Sequence, residues 1–404
     1  MFLNKRRSGF QARIKGGYTD YGHFVFPKPF SNHPPPCLPN KRLLFSLDTA
    51  NAYQAGQTEE WLGEWITARQ NRDDLVIATK YSGPYKPIDG TSRITTNRGG
   101  NGIKSMRLSL EASLRKLQTS YVDILYVHWW DYTTTISELM HGLNDLVTSG
   151  KALYLGISDT PAWVVSKANQ YARMAGLRQF VVYQGMWNAA MRDFERDIIP
   201  MCRDEGMGLC PYGVVNQGRD RTEEGFKARE QNNEGRKHIP LSNYDGVVSR
   251  TLEQITLSLE SPATITDVVL SYVMQKAAFV FPIIGGRKLE HIENNIRGLG
   301  VALTDEEIRK IDTASPFNSG FPYTFLSGSL FDGADAPQRG AYAPGDVWLL
   351  KSPWDDGFPC WTDASQATIG TVIGILNIKQ NFRRAEYIPP YPHKGILTLI
   401  FSWR

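Results

Sequence analysis

The chain predicts an α/β fold, a (β/α)8 TIM barrel, on three observations. Seven short apolar runs lie between residues 43 and 313. Amphipathic helical patterns alternate with them, as βα units around a parallel sheet require. No G-x-G-x-x-G follows the first run, which a doubly wound dinucleotide-binding sheet would need.

Taken in order, the runs span residues 43–47, 75–79, 122–127, 154–157, 180–183, 207–210 and 279–284. Between them Met106, Leu110, Leu114 and Leu117 fall on one helical face, and Ile136, Met140, Leu143 and Val147 on another. Gly150 stands where a helix C-terminal cap belongs. One strand is unaccounted for. The segment before residue 43 carries Gly16-Gly17, Pro27, Pro29 and Pro34-Pro35-Pro36, all breakers, and its best strand candidate, 23–26, is short. The first βα unit therefore reads as missing or replaced. Residues 1–42 form an irregular, basic, Pro-rich segment, 43–328 the barrel, and 329–404 an irregular tail rich in Pro, Gly and Trp. Residues 215–244 are a long charged connection of the kind that serves as a lid or an insertion.

Composition narrows the function classes. A chain of 404 residues with 41% hydrophobic and 21% charged side chains can bury a full core and is neither collagenous nor disordered. Its longest apolar stretches, 367–378 and 396–403, fall short of the roughly 20 residues of a membrane-spanning helix. Of the net charge of +4, the excess sits in residues 1–40, and the near-neutral remainder argues against a nucleic-acid face. That basic start has neither the apolar run of a secretion signal nor the amphipathic repeat of a transit peptide. Cys37, Cys202, Cys210 and Cys360 form no CxxC pair and no zinc spacing. They fit a reducing, cytoplasmic setting, and no metal site is expected.

In a parallel barrel, reactive groups gather where the strands end. Here each run ends in a polar residue or a glycine: Asp48, Lys80, His128, Ser158 with Asp159, Gln184, Tyr212, and Gly285-Gly286. Tyr53, five residues past Asp48, can lean over the barrel mouth. A phenol has a pKa near 10 and needs a cation beside it to act as an acid at neutral pH. Lys80 can be that cation, with Asp48 fixing its position and His128 bonding a substrate oxygen. Such a set protonates the oxygen of a carbonyl that accepts hydride. Side chains cannot supply the hydride, so a nicotinamide is implied. Tyr212 can stack on its ring, while Gln184, Ser158 and Asp159 bond its carboxamide. In Gly285-Gly286-Arg287-Lys288, the glycines allow backbone to approach a phosphate and the cations suit a 2′-phosphate; a tight turn with solvated charges is the other reading. Trp129-Trp130 and Trp187 read equally as wall packing or as an aromatic substrate pocket. Gly99-Gly100-Asn101-Gly102, with no strand before it, reads as a flexible turn, and neither an HxH metal pair nor a GxSxG elbow occurs.

These residues also resemble the aldo-keto reductases. The matching stretches are Asp48-Thr49-Ala50-Asn51-Ala52-Tyr53, Ala78-Thr79-Lys80, Asp123-Ile124-Leu125-Tyr126-Val127-His128, Gly156-Ile157-Ser158 and Pro282-Ile283-Ile284-Gly285-Gly286-Arg287-Lys288. Glu59-Glu60-Trp61-Leu62-Gly63-Glu64-Trp65 and Phe321-Pro322-Tyr323 resemble the fungal aryl-alcohol dehydrogenase and norsolorinic acid reductase branch. The resemblance covers about residues 43–328. It implies NADPH as the hydride source, Tyr53 as proton donor, Asp48 and Lys80 tuning it, and His128 with Trp129 at the substrate. Ser158, Asp159, Gln184, Tyr212, Gly213 and the segment 286–295, with Gly286, Arg287, Lys288, His291, Asn294 and Asn295, fall at its cofactor positions. The stretch 215–244 would cover the pyrophosphate. The implied partner is an aromatic carbonyl or alcohol, in the setting of a polyketide mycotoxin pathway. Two other readings stand beside this one. A cofactor-binding regulatory subunit is one, as in relatives resembling potassium-channel β subunits; an inactive remnant, left open where the first strand should be, is the other.

Overall fold

The computed structural model describes residues 46–86, 96–220, 222, 245–260, 262–285, 289–323 and 398–400. Within them, β1 (Ser46–Asp48), β2 (Val76–Tyr81), β3 (Val122–Val127), β4 (Ala152–Ser158), β5 (Phe180–Met186), β6 (Gly208–Tyr212), β7 (Ile283–Ile284) and β8 (Thr398–Ile400) form one sheet. The order is β6-β5-β4-β3-β2-β1-β8-β7 and neighbouring strands are parallel. Leu209 N–H donates to Phe279 O at 3.0 Å and Phe281 N–H to Leu209 O at 2.7 Å. Those bonds join β6 to the approach of β7, and the sheet closes on itself as a barrel.

Around it lie α1 (Gln57–Arg69), α2 (Ile103–Leu117), α3 (Ile136–Thr148), α4 (Ala162–Ala175), α5 (Phe194–Glu205), α6 (Asp245–Ser258), α7 (Ile265–Lys276), α8 (Leu289–Gly298) and α9 (Asp305–Ala314). Local chemistry sets their ends. Thr135 caps α3, and Thr264 with Asp267 and Thr304 with Glu307 form capping boxes on α7 and α9. Gly150 follows α3 at φ 73°, the cap that the sequence foretells. Helices α1 and α2 meet at Gly63, where a Cβ would lie 2.1 Å from the Lys116 carbonyl oxygen.

Period two along each strand divides the core. Outward residues such as Ile77, Leu125, Leu155 and Ile157 pack under the helices, against the expected apolar faces of α2 and α3. Inward residues Ala78, Ile124, Tyr126, Val182, Cys210 and Ile283 fill the barrel. Trp187 resolves to wall packing: it is fully buried, stacked on Phe194 at 5.7 Å, and its indole N–H donates to Glu195 at 3.1 Å. Beside it, buried Arg192 binds Glu195 and Asp312, and Lys276 binds Asp312, tying α5, α7 and α9 together.

The vacant strand position is filled from an unexpected place. β8 lies inside the stretch read as irregular, and it sits between β1 and β7, with Leu399 in register with Leu47 on one side and Ile284 on the other. The exposed edge expected beside β1 is therefore covered. A three-residue strand so far along the chain leaves little periodic signal to read. The 23–26 candidate and most of 215–244 lie outside the described residues. Because β8 is paired along both edges, against β1 and β7, its backbone N–H groups serve as ladder donors. Leu399→Pro deletes one such donor and is expected to lower the melting temperature by several degrees, where Leu399→Ala retains the ladder; equal melting curves for the two would remove β8 from the barrel.

Candidate active site

The same period of two that fills the barrel builds its mouth. Continuing upward from Val76 and Ala78 comes Lys80; from Ile124 and Tyr126, His128; from Tyr154 and Gly156, Ser158; from Val182, Gln184; and from Cys210, Tyr212. Asp48, in register with Ala78, ends β1 on the same side. Each strand thus changes from apolar to polar as it leaves the interior.

Lys80 and Asp48 are both buried and form an ion pair. The ammonium also donates to Thr49 O at 2.9 Å and to the Tyr53 hydroxyl at 3.4 Å. The other Asp48 oxygen accepts from Gln184 Nε2 at 2.9 Å. Tyr53 reaches the ammonium because the loop after β1 is tied down. Asn51 N–H donates to Lys80 O at 3.0 Å, Asn51 Nδ2 to Gly83 O at 2.9 Å, and the Thr58 hydroxyl to Tyr53 O at 3.1 Å. The Tyr53 and His128 rings meet edge-on at 5.6 Å, and the His128 and Trp129 rings lie 4.7 Å apart.

The electrostatics correct one expectation. Burial raises the Tyr53 phenol above its ordinary pKa, and the opposing pull of Lys80 does not overcome it. Lys80 has part of its field cancelled by Asp48, so the phenol is held protonated rather than made acidic in the resting site. Burial works against the Lys80 charge as well, but Asp48 and then Tyr53 outweigh it and hold the ammonium above its usual range. Burial, with Lys80 as a second cause, pulls His128 down to about 3. Its imidazole is therefore neutral and can donate one N–H.

Ser158, buried, and Gln184 stand in register on β4 and β5. Asp159 follows at φ 39° with its outer side exposed, yet desolvation of the carboxyl raises it to about 6 although Tyr212 donates to it at 3.1 and 3.3 Å. Gly213 follows Tyr212 at φ 69°. Asn295 is buried on α8, Asn294 half-buried and His291 exposed. Gly286, Arg287 and Lys288 lie outside the described residues. The structure thus brings Asp48, Tyr53, Lys80, His128 and Gln184 together, with Trp129 beside them and 40% exposed. Gln184 braces Asp48 at the mouth through its amide nitrogen. Asn101 was missed: the supposed flexible turn is fully buried there. Its signal was an Asn set among glycines, which reads the same in a loose turn and a tight one.

The sequence profile described as the Aldo/keto reductase family matches residues 45–316. The chain belongs to the aldo-keto reductase family. It is an oxidoreductase by that membership. It is 60% identical to norsolorinic acid reductase B of Dothistroma septosporum over 80% of each chain. With norsolorinic acid reductase B of Aspergillus parasiticus it shares 62% identity over 76% of this chain and 79% of that one. Aryl-alcohol dehydrogenase [NADP(+)] of Phanerodontia chrysosporium is 49% identical over 72% and 76%. Among solved structures, a thermostable aldo-keto reductase in complex with the inhibitor epalrestat superposes with a TM-score of 0.52 at 25% identity, covering 66% of this chain and 81% of that one.

A neutral, buried His128 links the aldo-keto reductase site to stability. The unfolded imidazole titrates near 6.5 and the folded one near 3. Its contribution is complete above about pH 6.5 and is lost as the pH falls, by up to ~1.4 kcal/mol per unit. His128→Asn should flatten the dependence of melting temperature on pH between 6.5 and 4; parallel curves for the two proteins would place the histidine in solvent.

Proposed function

We propose that the chain is an NADPH-dependent reductase of aromatic ketones or aldehydes, reversible as an aryl-alcohol dehydrogenase, acting in the cytoplasm on polyketide aromatics of the norsolorinic acid kind. One observation carries this reading: the Tyr53 hydroxyl lies 3.4 Å from the Lys80 ammonium, which is itself paired with Asp48, while the neutral His128 ring stands 5.6 Å away. The names of the relatives support the substrate class, and an NADP(+)-dependent relative supports the cofactor. A complete acid-and-orienter set favours an enzyme over a regulatory subunit, which needs the cofactor site alone.

The residues present fit a nicotinamide. Neighbouring strand ends offer a hydroxyl (Ser158), a carboxylate (Asp159), an amide (Gln184) and a half-buried phenol ring (Tyr212), donors and acceptors both, as a carboxamide beside an aromatic ring requires. These four would hold the ring, with Gly213 leaving backbone access; Gly286, Arg287, Lys288, His291, Asn294 and Asn295 would serve the phosphates and adenosine. When bound, the reduced nicotinamide supplies the hydride.

This chain's own part is to manage the proton. A substrate oxygen seated between Tyr53 and His128 accepts the histidine N–H, which draws its charge outward without adding a positive group next to Lys80. As the oxygen gains negative charge, it becomes basic enough to take the Tyr53 proton. Lys80 then faces a phenolate and stabilises it, while Asp48, held by Gln184 as well, keeps the ammonium in place. In the alcohol-oxidising direction the same phenolate receives the proton.

Tyr53→Phe removes the proton and little volume. It should lower the rate of NADPH oxidation with an aromatic aldehyde by about 10²- to 10⁴-fold while leaving the fluorescence titration of NADPH unchanged. Unaltered turnover would eliminate Tyr53 as the acid.

A further inference from the structure

We propose that Asn101 is a positioning residue for this reaction, a lock that joins the exits of β2 and β3 and thereby sets where His128 and Trp129 face Tyr53. The inference rests on the reductase reading for its consequences and on geometry alone for the lock.

Asn101 lies in the loop that enters α2, fully buried, and each of its polar atoms is engaged. Its N–H donates to Asp131 Oδ2 at 2.7 Å, and its Oδ1 accepts from the Asp131 N–H at 2.8 Å, a reciprocal pair. Its Nδ2 donates to the Ser82 hydroxyl at 2.8 Å and to the Trp129 carbonyl at 3.1 Å. Its carbonyl accepts from the Tyr81 hydroxyl at 3.2 Å. Ser82 closes the circuit, donating to Trp129 O at 3.3 Å and accepting the His128 N–H at 3.2 Å. Gly100, at φ 82°, lets the backbone turn into this position, and its N–H donates to Ser82 O at 2.8 Å.

The lock therefore grips the backbone at the His128 N–H and again just after it, at Trp129 and Asp131. Nothing in it touches the reacting groups directly, so its effect is on their placement. The Trp129 ring leans across the loop exits: a Cβ added to Gly83 would meet its Cη2 at 3.3 Å and the Ala52 side chain at 3.1 Å. Ala52 adjoins Tyr53. A shift of the Trp129 backbone by a fraction of an ångström moves the ring toward or away from the acid and narrows or widens the slot for a flat substrate. An Asn side chain alone supplies this pattern, since it gives two donors and one acceptor from a short stem. Asp at the same position would keep the acceptor, lose both donors and face the Asp131 carboxylate.

The test compares a planar aromatic substrate, 2-naphthaldehyde, with a small aliphatic one, propanal, in the intact chain, Asn101→Ala and Ser82→Ala. A lock that sets the aromatic slot predicts that Asn101→Ala lowers the ratio of kcat/KM for naphthaldehyde over propanal by about tenfold or more, through KM and kcat together, with NADPH affinity unchanged. Ser82→Ala, which keeps Asn101, should move the ratio the same way by less, and guards against an Asn101 variant that fails to fold. A merely structural role would reduce both substrates alike, and an unchanged ratio in both variants overturns the proposal. Hydrogen exchange over residues 128–134 gives a second, activity-independent reading: it should accelerate in Asn101→Ala, and unchanged exchange overturns the lock. An intact chain that reduces neither aldehyde would instead overturn the reductase reading, with the exchange result still judging the lock.

Discussion

The buried ion pair between Lys80 and Asp48 is the constraint around which the mouth of the barrel is arranged. Two charges removed from water cost more than their attraction returns unless every remaining donor and acceptor is satisfied. Here they are: the ammonium reaches Thr49 O and Tyr53, and the second carboxylate oxygen takes the Gln184 amide. The pair adds little to stability on balance, and its retention makes sense as placement. It holds a positive charge beside a phenol that must become negative during turnover.

That arrangement divides labour between ground state and transition state. At rest, burial keeps Tyr53 protonated and His128 neutral, so both are donors. The field of Lys80 is too weak, beside Asp48, to ionise the phenol in advance. It acts when the substrate oxygen gains charge, which is the moment at which an interaction lowers a barrier rather than merely tightening binding.

The strand-end logic was legible because period two is a rigid rule. Once 76–79 reads as a strand with Ala78 inward, Lys80 must point the same way, and Ile124 with Tyr126 commits His128. The order Asp, Tyr, Lys, His and the faces of α2 and α3 follow from local spacing in the same manner. What local spacing could not supply was the balance of charges. That Lys80 fails to acidify Tyr53 depends on how deeply the phenol is buried and on how closely Asp48 sits, and both are sums over groups far apart in the chain. Trp187, read equally as pocket or wall, became wall for a similar reason: its partners Glu195 and Phe194 bury it from the next helix.

The linear pattern of apolar and polar residues was enough to specify a parallel barrel and the side chains at its mouth, since both are encoded within a few residues by helical or strand periodicity, while the family was carried by the resemblance of short motifs. Closure of the ring and the lock behind His128 were settled by the folded chain. Thr398–Ile400 finds its place only because β1 and β7 leave a gap between them, and Asn101 becomes a keystone only because Ser82, Trp129 and Asp131 converge on it. Contacts between distant segments carry no period, and an amide among glycines shows its partners only when the backbone has brought them within hydrogen-bonding distance.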